Sequence, residues 1–468
     1  MGALFGIPPY GGSIVENVYY ADDKMCDHTF DNTRGWPERK DEKGNKLPWQ
    51  SPFILMINRG GCTYVTKVRN AQRAGASAVV IADNICLCKY AGTCKEKDVP
   101  ETDLDCEDDE PIMADDGSGS DISIPSFLML KQDADLLKQN LMVNVALRME
   151  LHWSLPNPGD HIKYDLWTDP TNSDTEEFLL DFKEVALQLG ERAHFVPHMY
   201  FMDGYKSGCQ QGDTNICENM CTNYGRYCAR DPDHNLETGV SGADMVAEIL
   251  RRLCIWKNYG NDGIGIQWWN YVDNFIQNCG LNYFTDKKCL TDSMQRAKID
   301  VEAIEDCMGE SGDLNTDTEN SLLESELKFK DHQGIVIIPS ASVNDAVIRG
   351  TLEFSTMFKA VCAGYKDGTE PDICVKCAKC HDEKVCVDRG YCTAPPGTED
   401  TVSKTDFIWT LIGTICSFIG VTFAIYKVVK RRMKSHIRGI LSEYIPVDKN
   451  VNEFEIDPDD EFSFKPNP

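Results

Sequence analysis

The fold of the amino-terminal part is decided by residues 53–83, FILMINRGGCTYVTKVRNAQRAGASAVVIAD. The apolar run FILMI predicts a buried strand, and the glycine-rich RGGC after it predicts a turn. Apolar residues then recur at helical spacing from Val65 to Ala74, which predicts a helix that Gly75 ends. The apolar run SAVVIAD predicts the next strand. Residues 1–150 are therefore predicted to form a mixed α/β domain.

Two further patterns complete this first domain. Apolar and polar residues alternate from Val143 to Leu151, which predicts a half-buried strand. The stretch from Cys86 to Gly119 is acidic, rich in cysteine and weakly patterned. We expect it to form a loop held in place by disulfides.

Residues 151–365 are predicted to form a second, central domain. The pattern is strand, helix, strand, a cysteine-rich helical stretch from Gly208 to Leu327, two strands with Pro339 between them, and a helix. This is the order of a thioredoxin-like domain with a helical insertion, in which Pro339 is the candidate cis-proline. The place of a redox-active C-x-x-C is taken by TNSD, Thr171 to Asp174, so disulfide oxidoreductase activity is not expected.

Residues 366–394 form a small cysteine-rich module, CVKCAKCHDEKVCVDRGYC at its centre. The C-x-x-C-x-x-C-H spacing could ligate zinc, with His381 as one ligand. Disulfides are the favoured interpretation in an oxidising compartment, with Cys362 as the sixth partner.

A membrane span is predicted at residues 407–429. The run FIWTLIGTICSFIGVTFAIY contains no charged residue and no proline, and it can cross a hydrocarbon core of about 30 Å as a helix. Basic residues follow it immediately, while the flank before it is mostly acidic and polar. The positive-inside rule then places the tail, residues 430–468, in the cytosol. We therefore expect a single-pass type I membrane protein.

Acidic residues and cysteines are distributed unevenly on the two sides of this span. The residues after Asp406 hold equal numbers of acidic and basic side chains, so the net charge of −28 lies wholly before them. Such a surface repels nucleic acid and anionic lipid. Of the 21 cysteines, all except Cys416 precede the span, as expected for a disulfide-forming lumen. The opening MGALFGIPPYGGSIV lacks the pattern of a secretory leader, so we expect a processed chain or a shortened gene model.

The sequence gives little support for an enzyme or a metal site. It contains neither G-x-S-x-G nor H-E-x-x-H, and His194 and His198 fall in a predicted strand, where a structural role is expected. Residues 313–324 have the acidic spacing of a calcium loop, but Thr318 and Asn320 occupy its glycine and apolar positions. An acidic helix start is favoured there. No cofactor is predicted, and the sequence does not support a calcium site.

Several stretches, in order, resemble the plant vacuolar sorting receptors, membrane proteins that carry soluble cargo from the Golgi to the vacuole. FGIPPYGGSIV and RGGCTYVTKVRNAQRAGASAVVIADN are similar to the family's protease-associated (PA) domain. SLPNPGDHIKYDLWT, CTNYGRYCARDP, LRRLCIWK and WWNYVDNF resemble its central region, and IRGILSEYIPVD its tail. The resemblance implies that residues 1–150 are a PA domain and that 366–394 are a remnant of epidermal-growth-factor-like repeats, here without a calcium consensus.

The resemblance also implies a cargo-binding loop. A turn between a buried strand and a helix can present backbone N–H groups and an arginine to the carboxylate or carbonyls of an extended ligand. The implied cargo-binding residues are Arg59, Gly60, Gly61, Cys62, Thr63 and Tyr64.

The tail carries Tyr444-Ile445-Pro446-Val447, a Tyr-x-x-aliphatic motif in a segment expected to be flexible. Such a motif can add as an extended strand to a clathrin adaptor, so Tyr444, Pro446 and Val447 are the implied adaptor-binding residues. Val447 replaces the family's usual leucine, and a cysteine pair of the family's central domain is missing.

The implied function is a cargo-sorting receptor, not an enzyme. Its partners would be soluble vacuolar or lysosomal proteins and clathrin adaptors, in Golgi, trans-Golgi and endosomal or prevacuolar membranes. Two alternatives stay open. One is a lumenal chaperone-like or redox-related membrane protein. The other is a PA-domain accessory of a membrane enzyme; a ubiquitin ligase would need a zinc module, and the tail has no cysteine.

Overall fold

The computed structural model of the protein describes residues 2–90, 106–211, 214–335, 337–393 and 404–444. Residues Met1–Thr393 form one compact unit, and the remainder forms a second. The strands are β1 Ser13–Tyr20, β2 Arg39–Lys40, β3 Lys46–Leu47, β4 Phe53–Asn58, β5 Ala76–Ala82, β6 Cys86–Leu87, β7 Cys106–Glu107, β8 Ser126–Met129, β9 Leu147–His152, β10 Ile162–Thr168, β11 Ala193–Met199, β12 Met202–Asp203, β13 Gln210–Gln211, β14 Thr214–Asn215, β15 Cys221–Thr222, β16 Tyr227–Cys228, β17 Ser340–Val343 and β18 Ala346–Val347. The helices are α1 Tyr64–Arg73, α2 Lys131–Met142, α3 Ser173–Leu189, α4 Gly242–Tyr259, α5 Ile266–Asn278, α6 Lys287–Arg296, α7 Val301–Glu310, α8 Ser321–Gln333, α9 Phe354–Ala363, α10 Asp372–Cys377, α11 Glu383–Arg389 and α12 Lys404–Tyr444.

The first domain is built on a five-stranded sheet in the order β8-β5-β4-β1-β9. Its first four strands are parallel, and β9 pairs antiparallel with β1. The central strand β4 is buried on both faces: Phe53, Leu55 and Ile57 contribute to one apolar cluster, Ile54 and Met56 to another. Burial of each such side chain stabilises the fold by about 1.5–3 kcal/mol. The continuous apolar run is thus explained by helices on both faces of the sheet.

The predicted strand, helix and strand of residues 53–83 are confirmed as β4, α1 and β5. The expected strand from Val143 to Leu151 is shorter than predicted. It starts only at Leu147, because α2 runs to Met142 and Asn144 adopts a positive φ of 62°. The expected disulfide in the loop after Cys86 is present as Cys88–Cys106.

The central domain has a four-stranded sheet in the order β11-β10-β17-β18. Its elements follow the predicted thioredoxin-like order, with helices α4 to α8 inserted between β11 and β17. One detail was wrong: the two late strands do not flank Pro339 but both follow it, since proline has no N–H to donate to a sheet. The peptide bond between Ile338 and Pro339 is cis.

The helical insertion shares one core with this sheet. Trp268 and Trp269 of α5 are fully buried against Phe195 of β11. Disulfides Cys254–Cys307 and Cys279–Cys289 cross-link its helices. The insertion is therefore an integral part of the central domain.

The amino-terminal segment links the two domains. Arg349 donates its backbone N–H to the Tyr10 hydroxyl at 2.6 Å, and that hydroxyl donates to the Arg349 carbonyl. Next to this pair, Gly350 donates its N–H to the carbonyl of Ala3. The amino-terminal residues thus hydrogen-bond to the first domain, where Ala3 donates its N–H to the carbonyl of Ser126, and to the central domain at Arg349 and Gly350.

The cysteine-rich segment differs from the EGF-like prediction. Its described residues, 366–393, contain helices α10 and α11 and no strand, whereas an EGF-like module is built on a small sheet. Ile373 and Val387 pack into the core of the central domain. The expected disulfides are present, including the partner predicted for Cys362, as Cys362–Cys374, Cys377–Cys386 and Cys380–Cys392.

In the second unit, α12 contains a stretch that is long and apolar enough to cross a membrane, Leu411–Met433. The predicted span, 407–429, lies within the same helix. The helix continues through the basic cluster to Tyr444, so this tyrosine ends a helix and does not lie in an extended segment. Pro446, which cannot continue a helix, and Val447 lie outside the described residues.

A buried histidine joins three elements of the central domain. His198 of β11 lies 3.1 Å from Glu326 of α8 and 3.7 Å from Asp165 of β10. Its ring stacks on Trp167 and Phe329. Burial disfavours protonation, but the two carboxylates outweigh it and raise the pKa of His198 above its ordinary value. The structural role expected for this histidine is confirmed.

Stability should therefore depend on pH through His198. A raised pKa gives stabilisation that is complete below the unfolded value of about 6.5 and is lost as the pH rises through the folded value. We expect hydrogen exchange of β10 and β11 amides, corrected for intrinsic rates, to show weaker protection at pH 8 than at pH 6.

His198→Gln should remove most of this dependence. His194→Gln is the matched control, since His194 is exposed on the same strand. An equal pH dependence in all three proteins would contradict the assignment.

Candidate functional site

The predicted cargo-binding loop connects the carboxyl end of β4 to the start of α1. The Thr63 hydroxyl accepts the N–H of Thr66 at 3.2 Å and caps α1. Gly60 and Gly61 have φ values of 92° and 87°, a region that favours glycine. A Cβ at Gly61 would also lie 3.1 Å from the sulfur of Cys26. The two glycines are thus required by the path of the loop.

Two interactions with neighbouring segments of the domain fix the path of this loop. The disulfide Cys26–Cys62 joins the loop to the segment after β1. Lys67, fully buried in α1, donates from Nζ to the carbonyl of Lys24 at 2.6 Å and to that of Asn58 at 3.0 Å. Burial lowers the pKa of Lys67 to about 8. One lysine therefore ties two loop segments to the first turn of a helix.

Arg59 does not point freely into solvent, which corrects the expectation for this residue. Its side chain is only 16% exposed and lies 2.9 Å from the carboxylate of Asp83, at the end of β5. Its two terminal nitrogens donate to both carboxylate oxygens of Glu107 at 2.8 Å. The parallel pairing of β4 with β5 brings Arg59 and Asp83 to the same sheet edge.

The two carboxylate partners of Arg59 differ in exposure. Asp83 is 1% exposed, and its Oδ1 also accepts the N–H groups of Asn84 and Ile85. Glu107 is 31% exposed, and the bidentate pair with Arg59 lowers the pKa of its carboxyl. Asp83 is therefore a fixed partner, whereas Glu107 can be reached from solvent.

The exposed side of the loop consists mainly of backbone. Gly60, Gly61 and Thr63 are exposed, while the Tyr64 ring is half-buried beside Arg59. Within the described part of the chain, no group accepts a hydrogen bond from the N–H of Gly60, Gly61 or Cys62. These N–H groups precede the positive end of α1, where carbonyl or carboxylate oxygens bind favourably.

The other candidate sites have structural explanations. Asn320 caps α8 through Leu322 and Leu323, and Asp317 pairs with Arg226, as expected for an acidic helix start. Two groups of three cysteines bring their sulfurs close together. All of these sulfurs are in disulfides, which are not thiolate ligands for zinc, namely Cys209–Cys217, Cys221–Cys228, Cys377–Cys386 and Cys380–Cys392.

Sequence reasoning missed three residues of the site, Lys67, Asp83 and Glu107. A lysine at position 67, within the apolar pattern of an amphipathic helix, was the available signal for a buried cation. Asp83 directly follows β5, as Arg59 directly follows β4. Glu107 carried no signal, because it belongs to a weakly patterned acidic loop.

Comparisons with known families assign both domains. Residues 12–137 match the PA domain, and residues 162–362 match the vacuolar sorting receptor thioredoxin-like domain. These matches confirm the predicted fold class. The loop at 59–64 lies within the first match.

Comparisons with individual proteins agree with this assignment. Vacuolar-sorting receptor 1 of Pisum sativum is 34% identical over 79% of this chain and 57% of its own length. Vacuolar-sorting receptor 5 of Arabidopsis thaliana is 32% identical over 86% of this chain and 63% of its own length. The chain thus spans less than two thirds of each. A RING-domain-containing Arabidopsis receptor homology protein matches only 8% of this chain, at 48% identity.

The buried ion pair leads to a stability prediction. Arg59→Ala leaves Asp83 buried without its cation, which should lower the free energy of opening of β4 and β5 by about 3 kcal/mol. Native-state hydrogen exchange of their amides measures this loss.

Arg34→Ala is the matched control. The Arg34 side chain is 79% exposed and pairs with Asp31 at 3.5 Å, so its removal should leave the same free energy nearly unchanged. Equal effects of the two substitutions would show that Arg59 is not a structural cation.

Proposed function

The chain belongs to the family of vacuolar sorting receptors, and from this premise we propose that it binds extended peptide segments of soluble cargo through residues 59–64. The PA match does not indicate a protease here, because the relatives that match across both domains are named as receptors. Cargo would be bound on the lumenal side, and the membrane-spanning helix would anchor the receptor in the membrane.

The observation that carries this proposal is the shape of the loop. Its path is fixed by Lys67 and by the disulfide Cys26–Cys62, while its outer backbone N–H groups have no acceptor among the described residues. A preorganised row of donors binds an extended peptide with little loss of conformational entropy. Gly60 and Gly61 allow close approach because they have no side chain.

We propose that Arg59 binds cargo by exchanging its partly exposed partner, Glu107, for an oxygen of the cargo peptide. Glu107 accepts both terminal nitrogens of Arg59 in a bidentate pair, the same geometry that a peptide carboxylate would adopt. A cargo oxygen would replace Glu107, which is partly exposed, and Asp83 would stay in place. Glu107 then acts as an internal competitor of cargo.

The tail would connect cargo binding to transport. We place the tail in the cytosol, because the basic residues after the apolar stretch favour that orientation of the helix. We propose that Tyr444, Pro446 and Val447 bind a clathrin adaptor. Because α12 ends at Tyr444, the last helical turn must open for the motif to bind as a strand. Golgi, trans-Golgi and endosomal or prevacuolar membranes are the proposed locations.

The first prediction from the proposed function concerns cargo affinity. Glu107→Gln removes the competing charge and should raise the affinity for a cargo peptide about three- to tenfold. Glu110→Gln is the matched control, since Glu110 pairs with Lys89 and not with Arg59. Affinity is measured by fluorescence anisotropy with the full chain in detergent. If Glu107→Gln binds cargo like the wild type, or more weakly, Arg59 does not bind cargo by exchange.

A second prediction concerns the tail. Tyr444→Ala should weaken adaptor binding by about 2 kcal/mol, or roughly thirtyfold, because it removes an aromatic ring from a binding pocket. Tyr444→Phe should be milder, since most of the ring remains. Adaptor pull-down and the distribution of the receptor in cells measure the effect. Wild-type adaptor binding by Tyr444→Ala would contradict the role of the motif.

A further inference from the structure

The two edges of the five-stranded sheet in the first domain differ in what covers them. At the edge formed by β8, Gly2 forms a bridge with Phe127, and Ala3 donates its N–H to the carbonyl of Ser126. At the other edge, β9 pairs with β1 alone among the residues that the structure describes. An uncovered edge strand offers a row of backbone donors and acceptors to another strand.

The register of β9 with β1 shows which backbone groups of β9 are free. Directly after β9, Trp153 donates its N–H to the carbonyl of Gly12, which continues this register. Backbone groups point to alternate sides along a strand, so those of the odd-numbered residues of β9 face β1. The N–H and carbonyl groups of Arg148, Glu150 and His152 therefore point away from the sheet. No described residue hydrogen-bonds to them from that side.

The side chains of β9 divide between two faces of the sheet. Leu147, Met149 and Leu151 pack against the apolar cluster between α2 and the sheet, yet each is only partly buried. Arg148 and Glu150 are exposed on the opposite face. A further strand beside β9 would thus extend the backbone ladder and cover more of the apolar face at the same time.

The charges on β9 are self-complementary in one register. When two copies of β9 pair antiparallel through their free backbone groups, the two registers of longest overlap place Met149 or Glu150 at the twofold axis. With Glu150 at the axis, it faces itself and Arg148 faces His152, which is unfavourable. With Met149 at the axis, each Arg148 faces Glu150 of the other copy. Arg148 donates one long hydrogen bond, 3.4 Å, to the carbonyl of Val15 and has further N–H groups for this pair.

We propose that β9 is a self-association edge, at which two copies of this chain join their sheets into one continuous sheet with Met149 at the twofold axis. The axis is perpendicular to the joined sheet, because the two β9 strands run antiparallel. Both α2 helices then lie on the same face, and the two loops at 59–64 lie at opposite ends of the sheet. This interface goes beyond the proposed function and does not depend on it.

Disulfide trapping with the full chain in detergent tests the register. At the axis, the two Cα atoms of a non-hydrogen-bonded antiparallel pair are about 4.5 Å apart, within reach of a disulfide. Met149→Cys should therefore form a covalent dimer on mild oxidation, which non-reducing gel electrophoresis detects. Every variant in this test also carries Cys416→Ser, because Cys416 is the free cysteine among the described residues.

Asn17→Cys is the matched control for the trapping experiment. Asn17 is exposed on β1 and lies directly opposite Arg148 of its own chain. In the proposed dimer, its two copies are separated by three strand spacings of roughly 4.8 Å each, which a disulfide cannot bridge. The absence of a covalent dimer from Met149→Cys, or an equal yield from Asn17→Cys, would overturn the proposal.

Charge reversal tests the same register without a new cysteine. Arg148→Glu places like charges opposite each other twice and should weaken self-association about tenfold, measured by sedimentation equilibrium at low salt. Adding Glu150→Arg brings opposite charges together again and should restore the association, a gain that a misfolded protein cannot produce. Unchanged association of Arg148→Glu would show that another surface joins the copies. Failure of the double variant to recover would equally refute the pairing of Arg148 with Glu150.

Discussion

The ion pair between Arg59 and Asp83 fixes the geometry on which the rest of the site depends. It joins the carboxyl ends of two adjacent parallel strands at 2.9 Å, inside a sheet edge where Asp83 is almost fully buried. Lys67 adds a second buried cation that holds two backbone carbonyls of the neighbouring segments. Together these two cations fix the path of the glycine loop, whose exposed side consists mainly of backbone.

In the proposed function, this arrangement gives one side chain both a structural role and a binding role. Arg59 is held from below by a partner that solvent cannot reach and from above by one that it can. A residue of this kind tolerates exchange of one ligand without loss of the fold.

Much of the fold could be predicted because its signals are local. The apolar run of β4, the helical spacing of α1 and the order of the central elements are each contained in short stretches of sequence. The pairing of Arg59 with Glu107 could not, because 48 residues and a weakly patterned loop separate the two. The strand expected before Pro339 and the EGF-like interpretation of the cysteine-rich segment were wrong for a related reason: a turn or a disulfide-bonded helix gives no periodic pattern that distinguishes it from alternatives. The cis peptide bond expected at Pro339 is present.

The central claim is that cargo lies on the loop after β4, and photo-crosslinking tests it most directly. A cargo peptide with a photoreactive phenylalanine analogue is irradiated with the full-length receptor, and the crosslinked products are reduced, digested with trypsin and analysed by mass spectrometry. We predict that crosslinks concentrate in the fragment 60–67, GGCTYVTK, which trypsin releases by cleavage after Arg59 and Lys67. Crosslinks confined to other parts of the lumenal region, with none in this fragment, would contradict the account.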